Sequence, residues 1–484
     1  MFHLGLAITY TLIVLIFFAQ MIYKPSRALL IYMLLISISP SVQYLIYPVY
    51  GVYFNDTNFR KLSIELFQVF LLAILYFIGI TKRAPIKKQT GLLVNFKKLM
   101  YAWAFLNFIS VLFAIDFQKS FIFYILSVVA PIVLFNLIIE TDILSINIDR
   151  LNSFLSKTFV VWTGLGLVSV LYYLIKAGLQ YNPLGMRNAG GMYLGNGGMC
   201  QMSLFVPLLF LSVKLSPSTA LYRKIFAIGV ILGLLVSISR TAIAFYILFF
   251  VISRSKSIKD FVYLLFAIGA IVLATSTVMS YVADVDIIQL IQDRFFGKTV
   301  TEGRSDFDAS GGNSQFVAKT SNDERFSIWQ DTIQEGSADL KIFFIGVGLG
   351  GFKEGSIKYE YSNAHNVFVN MFFERGFFNV VLFIGMLVFM FKMMNWIVRN
   401  AGKNESADFF GKTLRYGLLL FLSTAFFAND LFHADGFQSG NQAMHLFLLF
   451  GIIAKLYIRR QHELGVEEQQ IKSVSAPSYM PEFV

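Results

Sequence analysis

The chain has 484 residues, 56% of them hydrophobic, 16% aromatic and 14% charged, with a mean hydropathy of +0.64 and a formal net charge of +11. That much apolar surface cannot be hidden in one soluble core, so lipid has to act as the solvent for most of the chain. The single cysteine, Cys200, excludes an internal disulfide framework and a cysteine-based metal cluster, and basic residues scattered in short loops between apolar runs speak for membrane topology and against nucleic acid.

In chain order, a window of roughly 20 apolar residues predicts spans at 4–22, 28–47, 62–80, 99–115, 121–139, 158–176, 192–212, 225–238, 241–252, 260–280, 366–391, 416–432 and 442–458. The fold expected is an all-α polytopic membrane protein with about 12–13 transmembrane helices and one large periplasmic loop containing short helices. The first run, Leu4–Ile22, has full span length, no basic segment before it and no small-residue cleavage site after it, so it reads as a span and not as a cleaved signal. Lys82, Arg83, Lys87, Lys88, Lys97 and Lys98 make the loop 81–98 cytoplasmic, and alternation then places Lys24/Arg27, Lys214/Arg223/Lys224, Arg254/Lys256/Lys259, Arg399/Lys403 and Arg459/Arg460 on the same side. The tail from Arg459 to Val484 is polar and is expected to be cytoplasmic and disordered. The domain organisation is therefore 1–224, N-terminal transmembrane helices; 225–391, a core that includes the periplasmic loop 281–365; 392–458, C-terminal transmembrane helices; and the tail 459–484.

Two places break the regular pattern. Between the basic residues Lys224 and Arg254 the apolar run is too short for two full spans, and it must turn at Ser237-Ile238-Ser239-Arg240-Thr241. An arginine at that depth either snorkels to the outer headgroups or marks a functional cavity.

The second place is the segment 281–365, longer than any other loop. Thr299–Thr320 is rich in Ser, Gly, Asp and Asn and reads as a flexible, solvated stretch; Asp306-x-Asp308-x-Ser310 lacks the terminal glutamate of a calcium loop. Asp323–Ile333 has apolar residues at Phe326, Trp329 and Ile333 with acids at its start, the spacing of an amphipathic surface helix. Gly346-Val347-Gly348-Leu349-Gly350-Gly351-Phe352 lacks the Lys-Ser/Thr of a phosphate-binding loop and reads as a tight turn. Ser362-Asn363-Ala364-His365-Asn366 leads straight into the span 366–391, where a histidine is by itself only an interfacial polar group.

Taken together and in this order, these pieces resemble the O-antigen ligase and polymerase superfamily. The match consists of Ser239-Arg240 between two short spans, Arg325 with Trp329 one turn later, the Gly346–Phe352 turn, His365-Asn366, and Asn370, Glu374, Gly376 and Phe377 in the following span. It covers roughly 225–391; the flanking spans agree only in hydropathy. The resemblance implies a bacterial inner-membrane, multi-pass glycosyltransferase whose active site faces the periplasm and which takes glycan from an undecaprenyl-diphosphate carrier. It implies no cofactor and no metal. The implied partners are the lipid-linked donor, a glycan or lipid A-core acceptor and membrane lipid, and association with other polysaccharide-export proteins is compatible with it.

Such a transfer needs an activated acceptor hydroxyl and a stabilised leaving diphosphate. His365, with a reference pKa of about 6.5, can take the acceptor proton as general base. Arg240 and Arg325 can hold diphosphate oxygens bidentately as the anomeric C–O bond breaks. Arg187 is a further diphosphate or sugar contact, Asn366 either orients His365 or caps the helix, and Glu374 stands behind the site as a partner of Arg375 or Arg240. His433, Asp435 and Gln438 are candidates for touching glycan.

Repeat-unit polymerisation is the preferred expectation, with ligation of the finished glycan to lipid A-core as the alternative, because donor chemistry is common to both. The missing large soluble acceptor domain weighs against protein glycosylation. A flippase or transporter of polysaccharide intermediates is the reading from another class; it predicts internal repeats and charges at mid-membrane, whereas the candidate residues gather at one face. A purely structural subunit would not need Arg240 at its depth.

Overall fold

The structure, a computed structural model, describes residues 2–25, 27–33, 35, 57–81, 91–141, 321–355, 364, 366–400 and 439–475, with isolated helical positions between 160 and 228 and between 415 and 422. Every regular element among the described residues is helical: α1 (Phe2–Tyr23), α2 (Thr57–Thr81), α3 (Gly91–Leu112), α4 (Phe117–Tyr124), a π-helical turn (Ile125–Val129), α5 (Ala130–Glu140), α6 (Ser321–Ala338), α7 (Leu340–Phe344), α8 (Phe352–Gly355), α9 (Val367–Arg375), α10 (Phe377–Arg399) and α11 (Ser439–Ser475). Among the described residues two helices are long and apolar enough to cross a membrane, Phe117–Glu140 and Phe377–Arg399, and Tyr10–Tyr23 and Leu66–Thr81 are shorter apolar helices.

The helix from Phe117 to Glu140 starts on an Asp116 cap, whose side chain accepts from the Lys119 N–H. It carries its π turn just ahead of Pro131. A proline removes one amide donor and crowds the carbonyl four residues back, here that of Ser127, and widening the preceding turn relieves that clash without ending the helix. In the main core α10 lies along α3, α11 along α5, and α10 against α11. Trp103 is fully buried at their meeting point, 6.2 Å from the Phe383 ring and 6.2 Å from that of Phe447, and the Phe96 ring packs on Phe135 at 5.3 Å and Phe450 at 5.7 Å.

Three expected boundaries are corrected. The span placed at 99–115 begins at Gly91, so Lys97 and Lys98 belong to α3 and not to a loop. Lys97 is tied there to Glu140 at 3.3 Å, and Glu140 also accepts from the Tyr76 hydroxyl at 3.4 Å. The span placed at 366–391 is two helices, α9 and α10, separated by Gly376. The last helix does not stop at 458: α11 runs to Ser475, so disorder is not the state of the tail over 459–475. Arg459 and Arg460 both pair with Glu463 one turn on, and Arg460 Nε donates to the Asn400 carbonyl at 2.6 Å.

The contacts divide the bundle into two ends. At one end lie Lys97, Glu140, Lys455 (donating to the Thr141 carbonyl at 2.7 Å), Arg460 and the C-terminus of α10. At the other lie the C-terminus of α3, the start of α4, the glycine turn and the break at Gly376, which carry the candidate site.

Candidate functional site

Arg187, Arg240 and His365 lie outside the described residues, as do the Ser237–Thr241 turn, the stretch Thr299–Thr320 and the group His433, Asp435 and Gln438. Arg325 is placed by its backbone in the first turns of α6, one turn before Trp329. What the structure builds is the framework around positions 325 and 365.

Its first part is a small apolar cluster, separate from the main core, formed by Ile328, Val347, Phe352, Ala364, Val369 and Phe373, with Trp329 and Ile342 packed against it. These residues come from α6, the glycine turn, α8, Ala364 just ahead of α9 and α9 itself. Burying them together therefore fastens the loop onto the membrane helix. The face of α6 that does this shares only Trp329 with the one its spacing suggested. Ile328 and Thr332 are buried, whereas Phe326 and Ile333 are exposed. Gly336 continues that buried stripe, where a side chain would strike the Phe372 ring. Tertiary packing against α9 chose the stripe that allows closest approach, not the one with most apolar area.

The second part holds the chain on either side of His365. The Trp329 indole N–H donates to the Ala364 carbonyl at 2.6 Å, and the Ala364 N–H donates to Asn370 Oδ1 at 2.7 Å. On the other side Asn366 is the N-cap of α9: its backbone is extended, with φ −146° and ψ 121°, and its Oδ1 accepts from the N–H groups of Phe368 at 2.9 Å and Val369 at 3.2 Å. Ala364, Asn366 and Asn370 are all buried. An asparagine cap of this kind satisfies two of the amides that a helix start leaves without intrahelical partners. Of the two roles expected for Asn366, the one observed is the cap.

The third part is the glycine turn, which clamps the end of α9. Val347 N–H donates to the Phe373 carbonyl at 3.0 Å and Gly348 N–H to that of Glu374 at 2.9 Å, while Ile115 N–H donates to the Val347 carbonyl at 3.1 Å. Ser110 Oγ donates to the Glu374 carbonyl at 2.9 Å and Ser120 Oγ to that of Leu349 at 2.8 Å. The Val347 and Gly348 amides are spent on protein carbonyls, so this part of the turn works as a clamp on the end of α9. Gly346 and Gly376 have φ of 86° and 84°, and a Cβ on either would run into the other segment's backbone, at Glu374 and Phe344 respectively. Only glycine permits both the left-handed conformation and that approach.

Glu374 is buried at the end of α9, beside Arg375. Arg375 is fully buried; its guanidinium donates to Asn107 Oδ1 at 3.1 Å and sits 5.9 Å from the Trp103 ring centre. Asn107 Nδ2 donates to Asn379 Oδ1 at 2.8 Å and to the Trp103 carbonyl at 2.7 Å, and Asn379 Nδ2 donates to the Arg375 carbonyl. This network joins α3 to the break between α9 and α10. Sequence reasoning passed over Asn107, Asn379 and Trp103; the available signal was two asparagines inside apolar helices, where an unsatisfied amide is costly.

Residues 225–384, about a third of the 484-residue chain, match the O-antigen ligase family. The match bears out, over this segment, the resemblance to the O-antigen ligase/polymerase superfamily. No curated protein matches it. Arg240, Arg325, His365, Asn366 and Glu374 fall inside the matched O-antigen ligase segment and Arg187 outside it. The α6 framework, the glycine turn, the Asn366 cap and the Gly376 break are all features of that segment. The matched segment and the described apolar helices agree with a membrane protein of glycosyltransferase-like type.

Proposed function

We propose that the protein is a multi-pass inner-membrane glycosyltransferase that polymerises glycan repeat units at the periplasmic face from an undecaprenyl-diphosphate carrier. The observation that carries this reading is the Trp329–Ala364–Asn370 chain of hydrogen bonds, which fastens the helix bearing Arg325 to the residue preceding His365. His365 takes the proton of the acceptor hydroxyl, whose oxygen attacks the anomeric carbon. The bond from that carbon to the diphosphate oxygen breaks, and its electron pair leaves on the diphosphate. Arg325 and Arg240 hold that growing negative charge in planar, two-pronged hydrogen bonds. Arg187 contacts the diphosphate or a sugar. Asn366 holds the start of α9 behind the base, and Glu374 with Arg375 holds its end. The chemistry as proposed draws on no metal or cofactor.

The positive-inside pattern supports this orientation. Lys97, Lys392, Arg399, Lys455, Arg459 and Arg460 belong to the end opposite the glycine turn, so that turn and the candidate site face the periplasm. Ligation to lipid A-core is the second reading, favoured by the description of the matched family as O-antigen ligase. Deleting the gene and examining surface polysaccharide separates the two. Single-repeat caps on lipid A-core mean that a polymerase was lost, long carrier-linked chains mean that a ligase was lost, and unaltered polysaccharide overturns both.

A further inference from the structure

The short helix α7 sits against the first turn of α10, with the Phe343 ring stacked on Phe377 at 5.3 Å and 15° and the Phe344 ring stacked on Phe378 at 5.7 Å and 19°. Asp339 caps α7 through the N–H groups of Lys341 and Ile342. Despite these contacts, two large apolar side chains of α7 stay uncovered: Leu340 is 73% exposed and Phe344 46%. The uncovered surface does not end with α7. On α10 the exposed large apolar residues are Phe377, Phe378, Val381, Ile384 and Val388, and the positions 377, 381, 384 and 388 form one stripe at helical spacing. The opposite face, with Asn379, Phe383, Met386, Met390 and Met394, is buried in the bundle. Further along, the exposed stripe turns polar at Lys392, Asn395 and Arg399. A 23-residue apolar helix with one packed face and one apolar uncovered face presents the latter to acyl chains.

We propose that α7 is a membrane-interface helix, with Leu340 and Phe344 inserted into the leaflet at the Phe377 end of α10 as a continuation of its lipid-facing stripe. The occupant is bulk bilayer lipid. The paired phenylalanine stacks join α7 to the first turn of α10, and Asp339 and Lys341 keep polar groups at the headgroup level. The inference rests on the proposed function for its consequence: α7 sets the height of the glycine turn and of α6 above the bilayer, which is the level at which the diphosphate of a lipid-linked donor lies.

The test uses the full chain in phosphatidylcholine/phosphatidylglycerol nanodiscs, with Cys200→Ser as background and single nitroxide labels at Leu340→Cys, Phe344→Cys, Gln334→Cys and Ile384→Cys. Collision with oxygen against a water-soluble nickel chelate gives the depth of each. Labels at 340 and 344 are expected about 5–10 Å below the phosphate level, with 334 in water and 384 deep in the hydrocarbon. Water-exposed labels at both 340 and 344 beside a deep 384 would overturn the proposal alone. A water-exposed 384 would overturn the membrane reading of α10 and the proposal with it. Dipolar broadening between copies, or lipid-like signals that arise only when a polyprenyl diphosphate is added, would assign the face to a second copy or to the donor tail and also overturn it. Depth is read without catalysis, so an inactive but correctly immersed protein would count against the proposed function and not against α7.

Discussion

The Trp329 indole N–H donates to the Ala364 carbonyl at 2.6 Å, across 35 residues of chain, and thereby ties the helix of Arg325 to the residue before His365. Trp329→Phe keeps most of the packing and removes the bond. A hydrogen bond of this kind is worth on the order of 1–2 kcal/mol once its acceptor is left buried, so glycan transfer should fall about tenfold while membrane insertion is unchanged. Asn370→Ala removes the other hold on Ala364, and the double variant should lose less than the two singles added, because both act on one residue. Simple additivity, or near-normal activity of either single variant, would break the link between this clamp and the site.

His365→Ala should abolish transfer and leave donor binding and insertion intact. Arg325→Lys and Arg240→Lys should each be severe, because a point charge does not replace a planar fork. Tolerance of both lysines would reduce these arginines to interfacial charges.

Asn366 caps α9 through Oδ1. Asn366→Asp and Asn366→Ser retain a capping oxygen and should stay active, whereas Asn366→Ala should cost about 1 kcal/mol of stability, read as a lower melting temperature in detergent. An inactive but fully stable Asn366→Asp would instead indicate direct substrate contact.

The Arg375–Asn107 bond predicts coupled stabilities. Asn107→Ala withdraws an acceptor from a fully buried guanidinium and should be strongly destabilising, on the order of 3 kcal/mol. Adding Arg375→Met should recover part of that loss, because the buried charge is then gone. A double variant worse than Asn107→Ala alone would refute the coupling. Gly376→Ala meets both a left-handed backbone and the Phe344 carbonyl and should lower stability by more than the roughly 1 kcal/mol of a conformational penalty alone.

Topology is checked with single cysteines in the Cys200→Ser background. A membrane-impermeant thiol reagent applied from the periplasm should modify Thr320→Cys and not Lys88→Cys. The reverse pattern would place the candidate site on the wrong side of the membrane.

Composition alone pointed to lipid as the solvent, because no soluble core can hide so much apolar surface, and apolar runs of span length located α1, α2 and the helix from Phe117 to Glu140 to within a few residues. The order Arg325, Trp329, glycine turn, His365-Asn366 was legible as chemistry and as a family resemblance because those residue types are rare at such spacing in an apolar chain. Hydropathy averaged over a span passed over the break at Gly376, since Glu374 and Arg375 are flanked by phenylalanines on both sides and the break is set by a backbone contact with Phe344 from a different segment. Nor could it choose the buried face of α6: Phe326 and Ile333 are as apolar as Ile328, yet closeness to α9 selects Ile328, Thr332 and Gly336. The sequence by itself located α1, α2 and the helix from Phe117 to Glu140 and singled out candidate site residues, since these follow from residue type and the length of apolar runs. Tertiary structure alone decided which amides of the glycine turn are spent on α9, how Arg375 is buried beside Trp103, and how Trp329 meets Ala364, since each depends on partners brought together from distant parts of the chain.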